Sequence, residues 1–425
     1  MFIVKYLYIN KENKMIKAQR GTKDIFGEES YTWQWILNNA QNVFQNAGFQ
    51  EIKTPIFEAT ELFARGVGDS TDIVNKEMYT FQVGGIEKNA TSITLRPENT
   101  AGVGRAFIEH NIVRQSPPQK FWYFGPMFRY ERPQAGRQRQ FHQVGVEMFG
   151  IKEPSADAEV IMSAVEFLKS VGLDNLEVEL NTLGCPKCKN DYRNSIKEIL
   201  KPHLENLCDD CKMRYEKNPL RILDCKNEDC QKIFEIKEVK NVILNDYICD
   251  ECKDHFDTLT KYLDDLGIKY QRNKLLVRGL DYYNRTVFEI KSSALGSQSA
   301  VCGGGRYDGL VEMLGGASTP AVGFAMGVER LFTLVEKQEA PKLDYFIVST
   351  NTKEAIKLAQ KLRQQNKKVE FDMQARKFAK QLEKASKIAK NAIILGEDEI
   401  NQGFYSIKNL ETGEQTKIEK FENLI

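Results

Sequence analysis

The sequence predicts an α+β protein built on an antiparallel sheet, interrupted by a small Cys-rich insertion and followed by a separate α/β domain. Three observations carry that expectation. Residues 121–128 and 143–149 read as two strands joined by a loop carrying Arg132, Arg137 and Arg139. Eight of the nine cysteines fall within residues 185–252. Beyond residue 342, buried-type apolar runs alternate with amphipathic stretches, the pattern of a small α/β unit.

Length and composition bound the rest. A chain of 425 residues has room for two to three domains and an ample core. Apolar content of 41% and charged content of 28% are those of a globular protein. The net charge of +1 means that any nucleic-acid surface must be local. No run of 18 apolar residues occurs, so no membrane span is expected. The start, MFIVKYLYI, is apolar but short and lacks a basic leader and a small-residue cleavage site, which predicts a cytoplasmic protein. Residues 1–14 precede the first recognisable segment and are expected to form a tail or an added edge strand, with Met15 an alternative start. Only four histidines are present, so histidine-based catalysis is poorly supplied, and His142 is expected to serve structure or binding.

The elements follow in order. Residues 30–47 place Ile36, Leu37, Ala40, Val43, Phe44 and Ala47 at helical spacing, with Gly48 as the stop. A strand ending at Pro55 comes next, since proline lacks a ladder donor and suits a strand end. Residues 92–96 are a β-branched strand that stops at Pro97, and the turn presents Glu98 and Thr100. A helix over 157–171 leads to a strand over 176–180. The cysteine-rich stretch follows, then helix, strand and glycine-rich loop to about residue 336. After the linker 339–342, strands are expected at 345–349, 368–371, 391–395, 405–409 and 415–418. Helices are expected at 353–366 and 376–390, the first with Ala355, Ile356, Ala359 and Leu362 on one face. Residues 352–391 hold ten Lys and two Arg against three Glu and one Asp, a net of +8 that fits an RNA-facing surface.

Certain segments carry chemistry. Arg129 follows the aromatic strand, and its planar fork can hold a phosphate and a carboxylate together. Glu131 can accept from an exocyclic amine, and the loop arginines can meet a polyanion. Residues 278–289, RGLDYYNRTVFE, set an arginine, two tyrosines and an acid beside a strand. Residues 303–310, GGGRYDGL, let backbone approach a ligand closely. Residues 321–331, AVGFAMGVERL, read as a strand entering a helix from which Arg330 emerges.

In that order, these segments resemble motif 2, the two histidine-type signatures and motif 3 of the histidyl-tRNA synthetases, within the class II aminoacyl-tRNA synthetases. The helix, strand and Pro55 resemble motif 1, which builds the dimer interface in that family. The resemblance runs from about residue 16 to 420 and includes RGTKD at 20–24 and LGEDE at 395–399. It implies a class II catalytic core in two parts, 1–184 and 253–337, around the Cys-rich insertion 185–252. It also implies an anticodon-binding α/β domain at 343–425. The implied reaction is ATP-dependent activation of L-histidine to the adenylate, with Mg²⁺, and transfer to tRNA(His) by a homodimer.

Residue roles follow where the motifs match. Arg129 would bind the α-phosphate and the histidine carboxylate, and Arg278 would face it across the phosphate; these two are the expected catalytic residues. Glu131, Phe141 and Arg330 would hold ATP. Glu98 and Thr100 would receive the substrate α-amino group, Gln143 and Glu147 would line the histidine pocket, and Tyr282 and Tyr283 would shape it. The family usually carries glycine where this chain has Asn99, and Asn tolerates φ > 0 better than most residues. The alternative is a synthetase-like regulatory subunit of histidine biosynthesis without aminoacylation activity. Such paralogues typically lose the Arg278 signature and the C-terminal domain, and this chain has both.

The cysteines form pairs: Cys185 and Cys188, Cys208 and Cys211, Cys225 and Cys230, and Cys249 and Cys252. A tetrahedral thiolate zinc site draws two ligands from each of two such knuckles. Cys185 and Cys188 are expected to join either Cys208 and Cys211 or Cys249 and Cys252 around a structural zinc. Cys225 and Cys230, with the loosest spacing, are expected to stand outside, and adenylate chemistry is expected not to depend on the insertion. Cys302 is expected to serve packing.

Overall fold

The computed structural model describes residues 15–68, 71, 73–83, 91–133, 136–243, 245–292 and 300–424. The expectation for residues 1–14 lies outside them. The chain divides into two units, one up to Gln338 and one from Glu339.

Among the described residues of the first unit, eight strands form the main sheet. Their spatial order is Gln50–Glu51, Gln119–Phe128, Gln140–Phe149, Ala321–Gly327, Ala300–Arg306, Asn284–Ser292, Leu176–Thr182 and Tyr270–Arg272. The inner strands run antiparallel and each edge strand lies parallel to its neighbour. The strands are rich in β-branched and aromatic residues with period-2 alternation, which gives the sheet two different faces. One face buries Trp122, Val144, Val146, Phe288, Ile290, Val322 and Phe324 against three helices, Glu28–Asn46, Pro154–Ser170 and Asp250–Asp265. The first of these helices contributes Ile36, Ala40 and Phe44 at helical spacing, each fully buried. Burial of a side chain such as Phe44 stabilises the fold by roughly 1.5–3 kcal/mol. Ala47 caps that helix and Gly48 turns the chain away at φ +79°, where other residues are strained.

The opposite face is polar and shallow. Gln143, Gly145 and Glu147 pair with Gly327, Ala325 and Gly323, and Ala325 pairs in turn with Gly303. Gly303 pairs with Glu289 on the next strand. Small residues in the middle of this face leave room above the sheet, and the polar side chains around them point into that room.

The insertion is helical: Pro186–Leu200, Asp209–Lys217, Glu228–Phe234 and Lys237–Ile243, followed by Asp250–Asp265. The boundary expected at 252 falls inside the last helix, whose Phe256, Leu259 and Leu263 belong to the main core. Ile196, Leu200, Leu207, Leu220 and Ile222 share a core with Tyr282, Tyr283, Tyr307 and Leu310. A second, three-stranded antiparallel sheet is ordered Phe57–Ala59, Thr91–Leu95, Tyr79–Val83.

The second unit has five strands in the order Val369–Phe371, Leu343–Val348, Ala389–Ile394, Tyr405–Asn409, Gln415–Ile418. The first three are parallel and the last two antiparallel. The helices Thr352–Gln364 and Phe378–Ile388 supply the crossovers. Ile356, expected on the apolar face of the first helix, is 50% exposed. The buried stripe is Ala355, Leu358, Ala359 and Leu362, the i, i+3, i+4, i+7 positions, and residue 356 lies about 100° round from Ala355.

Candidate active site

The polar face of the main sheet opens into a cavity of about 820 Å³. Its lining includes Arg129, Glu131, Phe141, Gln143, Arg278 and Arg330, so six of the expected site residues meet there. Each is placed by the fold. Arg129 leaves the end of the Gln119–Phe128 strand, and its Nε donates to the Pro97 carbonyl at 2.9 Å. The guanidinium lies 5.2 Å from the Phe141 ring, and Nη1 is 3.9 Å from Glu131 Oε1. Arg278 is tied to Glu289 and packs 6.0 Å from the Tyr283 ring. A methyl group at Gly303 would run into the Arg278 guanidinium, so this guanidinium lies flat on the sheet because residue 303 has no side chain. Arg330 reaches across to the Ala300 carbonyl, and burial lowers its pKa.

Four further lining residues had been given no role from the sequence. Lys291 pairs with Glu179 across the far wall, and Glu289 pairs with Arg278. Lys226, from the insertion, completes the cationic rim. No local pattern around Lys226 marks it as a site residue; it arrives through tertiary packing.

The other expected residues, Glu98, Thr100, Glu147, Tyr282 and Tyr283, do not line the open cavity. They form a buried polar cluster, joined to the cavity by Gln143 and Glu147 on one strand face and by Arg278 and Tyr283. Glu147 is 1% exposed and accepts from the hydroxyls of Thr100 at 2.7 Å and Tyr123 at 3.4 Å, and from Tyr307. Burial pushes the Glu147 carboxyl up to about 8; the hydroxyl donors oppose that shift and the neighbouring Glu98 adds to it. Glu98 accepts from the backbone N–H of Thr100 at 2.7 Å and of Ala101 at 3.0 Å, the start of the helix Thr100–Glu109. Its carboxyl is also raised by burial, against those same N–H groups. The Tyr282 ring lies 4.7 Å from Tyr283 and 5.5 Å from Tyr307. Tyr123 and Tyr307 escaped the sequence reading. Tyr307 sits inside the GGGRYDGL segment, and period-2 counting along the aromatic strand puts Tyr123 on the Gly125 face; each signal was present but unspecific.

Several expectations resolve locally. Asn99 adopts φ −116°, so its turn requires no left-handed residue; its Oδ1 accepts from Thr54 Oγ1 at 2.5 Å and from Arg96 Nη1 at 3.3 Å. His142 is not among the residues that line the cavity: its backbone N–H donates to Glu329 at 2.9 Å, its ring Nδ1 lies 3.0 Å from the same carboxylate, and the ring packs 4.8 Å from Trp33. Cys302 is 2% exposed, and burial raises its thiol well above the usual range. Arg306 of the glycine-rich segment is fully buried and pairs with Asp157 at 3.3 Å, away from the cavity. The loop arginine Arg139 is fixed on Tyr130 at 4.0 Å, and its backbone N–H donates to Gly21 at 2.8 Å, so the 20–24 segment seals that hairpin. Arg132 and Arg137 are exposed.

The cysteines fall into two groups of four: Cys185, Cys188, Cys249 and Cys252, and Cys208, Cys211, Cys225 and Cys230. Within each, all sulfurs lie within 4.8 Å of one another, and no cysteine is in a disulfide. The first group is one of the two pairings expected for Cys185 and Cys188. The second corrects the expectation for Cys225 and Cys230. Asn227 accepts from the N–H of Asp229 and Cys230, and this turn folds the wider spacing back so that both sulfurs converge. No helix among the described residues is long and apolar enough to cross a membrane.

The chain is similar to known proteins. The family model described as histidyl-tRNA synthetase matches residues 21–331, and that of an anticodon binding domain matches 341–425. A histidine–tRNA ligase of Caldanaerobacter subterraneus subsp. tengcongensis is 49% identical over 413 residues, spanning 95% of this chain and 97% of that protein. One from Thermotoga maritima is 47% identical over 410 residues, spanning 94% and 95%. The crystal structure of apo S. aureus histidyl-tRNA synthetase superposes with a TM-score of 0.79 at 36% identity, covering 96% of this chain and 99% of that one. With a family model over most of the chain and relatives near half identity over almost all of it, the chain belongs to the histidyl-tRNA synthetase family.

Proposed function

We infer that the protein activates L-histidine with ATP and transfers it to the 3′ end of tRNA(His), as a histidine–tRNA ligase. The observation that carries the reading is the meeting of Arg129, Arg278 and Arg330 in one cavity beside a buried cluster of carboxyls and tyrosines. Adenylate formation brings two anions together. A carboxylate oxygen of histidine attacks the α-phosphorus, the bond to the β-phosphate oxygen breaks, and pyrophosphate leaves with the bonding electrons. Arg129 and Arg278 offset the charge on the phosphoryl oxygens from either side, without a proton transfer. Glu131 and Phe141 hold the adenine by its amino group and its face, and Arg330 holds the γ-phosphate. Mg²⁺, with an oxygen donor available from Glu289 in the cavity wall, would neutralise the leaving pyrophosphate. The tRNA hydroxyl then displaces AMP at the carbonyl carbon.

Histidine is selected by polar complementarity. Glu98 and Thr100 receive its ammonium group, and Gln143, whose Oε1 has no partner among the described residues, lines the pocket. Glu147 meets the imidazole, with Tyr282 and Tyr283 shaping the pocket. A side chain lacking the ring nitrogens leaves these groups unpaired, which is the costly way to bind the wrong substrate.

A homodimer is supported by the three-stranded sheet. Phe57, Phe81 and Val83 lie on one of its faces at 48–58% exposure, beside Ile56 of the motif 1 segment. The basic helices of the second unit support anticodon recognition, since Lys353, Lys357, Lys361, Lys380 and Lys387 are all exposed. Cys185, Cys188, Cys249 and Cys252 have the donor chemistry and spacing of a structural zinc site. The cellular setting is the cytoplasm. Charging of a tRNA(His) transcript with labelled histidine, ATP and Mg²⁺ tests the reading. Accumulation of labelled tRNA is expected. Binding of ATP and histidine with no charging at any Mg²⁺ concentration would show that the site is a sensor instead.

A further inference from the structure

We propose that Cys208, Cys211, Cys225 and Cys230 bind a zinc ion that fastens the insertion to the wall of the adenylation cavity. This inference rests on the reading of that cavity as the site of histidine activation. Cys208 precedes the helix Asp209–Lys217 and Cys211 lies in its first turn; Cys225 follows the short helix Pro219–Asp224, and Cys230 lies in the helix Glu228–Phe234. Cys211 and Cys230 are fully buried and Cys225 is 6% exposed. The Cys208 and Cys225 sulfurs are 3.8 Å apart. A tetrahedron with metal–sulfur bonds of about 2.3 Å has edges of about 3.8 Å; this edge matches it, and all four sulfurs lie within 4.8 Å of one another, close to the dimensions of one four-thiolate ion site. Backbone N–H groups point at the sulfurs, Cys208 to Cys230 at 3.3 Å and Asn227 to Cys225 at 3.4 Å. Such donors stabilise thiolates and orient them. Four thiolates converging from three buried cysteines and the part-buried Cys208 suit zinc among the common divalent ions.

The site is in direct continuity with the active site. Asp224 and Lys226, the immediate neighbours of Cys225, line the cavity together with Leu223. From the short helix Pro219–Asp224, Arg221 donates to the Gly279 carbonyl, and Asn218, just before it, donates to Asp281 Oδ1 at 2.6 Å. Lys189, one residue beyond Cys188, donates to the carbonyls of Asp281 at 2.9 Å and Tyr283 at 2.7 Å. The insertion therefore grips the 278–283 segment that presents Arg278, and the metal-ligating turn sets where that grip lies. Zinc at this group is a positioning element for amino-acid activation as well as a fold staple.

The test is metal content and histidine-dependent ATP–pyrophosphate exchange on the full chain, for wild type and for Cys225→Ser/Cys230→Ser. Wild type is expected to carry two zinc ions and the double variant one. Exchange by the folded variant is expected to fall about tenfold or more, the usual scale for loss of an orienting shell. Full zinc content in the variant, iron in place of zinc, or one zinc lost with exchange unchanged would overturn the proposal. An absence of exchange in the wild type would instead sink the reading of the cavity. If the double variant does not fold, the single variant Cys208→Ser, which alters only the part-buried ligand of this group, decides the matter. One zinc with exchange lowered supports the clamp, and two zinc ions or exchange unchanged after loss of one overturns it.

Discussion

Arg278 pairs with Glu289 and packs against the Tyr283 ring, and it is held over Gly303 by the lack of a Cβ. A guanidinium placed to meet developing phosphoryl charge acts mainly in the transition state. Arg278→Ala is expected to slow adenylate formation by about 10²–10³, or roughly 3–4 kcal/mol, with a much smaller effect on histidine affinity. Single-turnover quench measurements read both; near-normal adenylation would remove Arg278 from the mechanism. Glu147 gives a pH prediction. Its folded-state pKa of about 8 lies above the ordinary carboxyl value because burial penalises the charge. The folded protein therefore holds a proton that the unfolded chain has released, and stability from this group falls as pH rises from about 4.5 through 8. Glu147→Gln cannot ionise. It should gain on the wild type as pH rises from 6 to 8, by up to about 1.4 kcal/mol per pH unit. Urea unfolding at several pH values measures this, and parallel stability curves for the two proteins would refute the protonated carboxyl. At this scale the motif residues facing the cavity were legible, because an arginine after an aromatic strand announces itself. Tyr123, Tyr307 and Lys226 were not, because what selects them is the face they share, which one strand alone does not reveal.

Strand and helix boundaries follow local chemistry closely where that chemistry is strong. The hairpin at Tyr405–Asn409 and Gln415–Ile418 lies where the turn at Thr412 and Gly413 puts it, with Gly413 at φ +79°. Ile356 was misplaced because a β-branched apolar residue next to a buried alanine looks like part of the stripe, although the helical angle turns it outward. Cys225 and Cys230 were misplaced because spacing was read as a measure of convergence, whereas the Asn227 turn supplies the convergence. The glycine-rich segment divides its roles by alternation: Gly303 opens the cavity, while Arg306 ties its strand to the helix Pro154–Ser170 through Asp157. Both partners of that pair are fully buried, and Arg306→Ala leaves the Asp157 carboxylate with the His255 ring, 3.4 Å away, as its remaining partner. A loss of about 3–5 kcal/mol in unfolding free energy is expected. A change within experimental error in chemical denaturation would mean that the pair is not what joins strand to helix.

For the whole molecule, the two units divide the labour. The first unit holds the cavity, and the second, from Glu339, has its own core around Ile347, Leu358, Leu362 and Ile393. Deleting residues 343–425 is therefore expected to leave adenylation largely intact while lowering transfer to tRNA. Exchange and charging assays on the truncated protein read the two steps separately, and equal loss in both, with the core still folded, would contradict an anticodon-binding role. The overall plan was visible in the sequence because each unit carries its own periodicity and its own motifs. The packing of the insertion onto the histidine signature was not, since the contacts from Asn218 and Arg221 to the 279–281 segment join positions about 60 residues apart. The central claim is that this cavity activates histidine. The most direct measurement is ATP–pyrophosphate exchange with each of the twenty standard amino acids in turn. Histidine alone is expected to support exchange; silence with histidine, or equal exchange with another amino acid, would contradict the account.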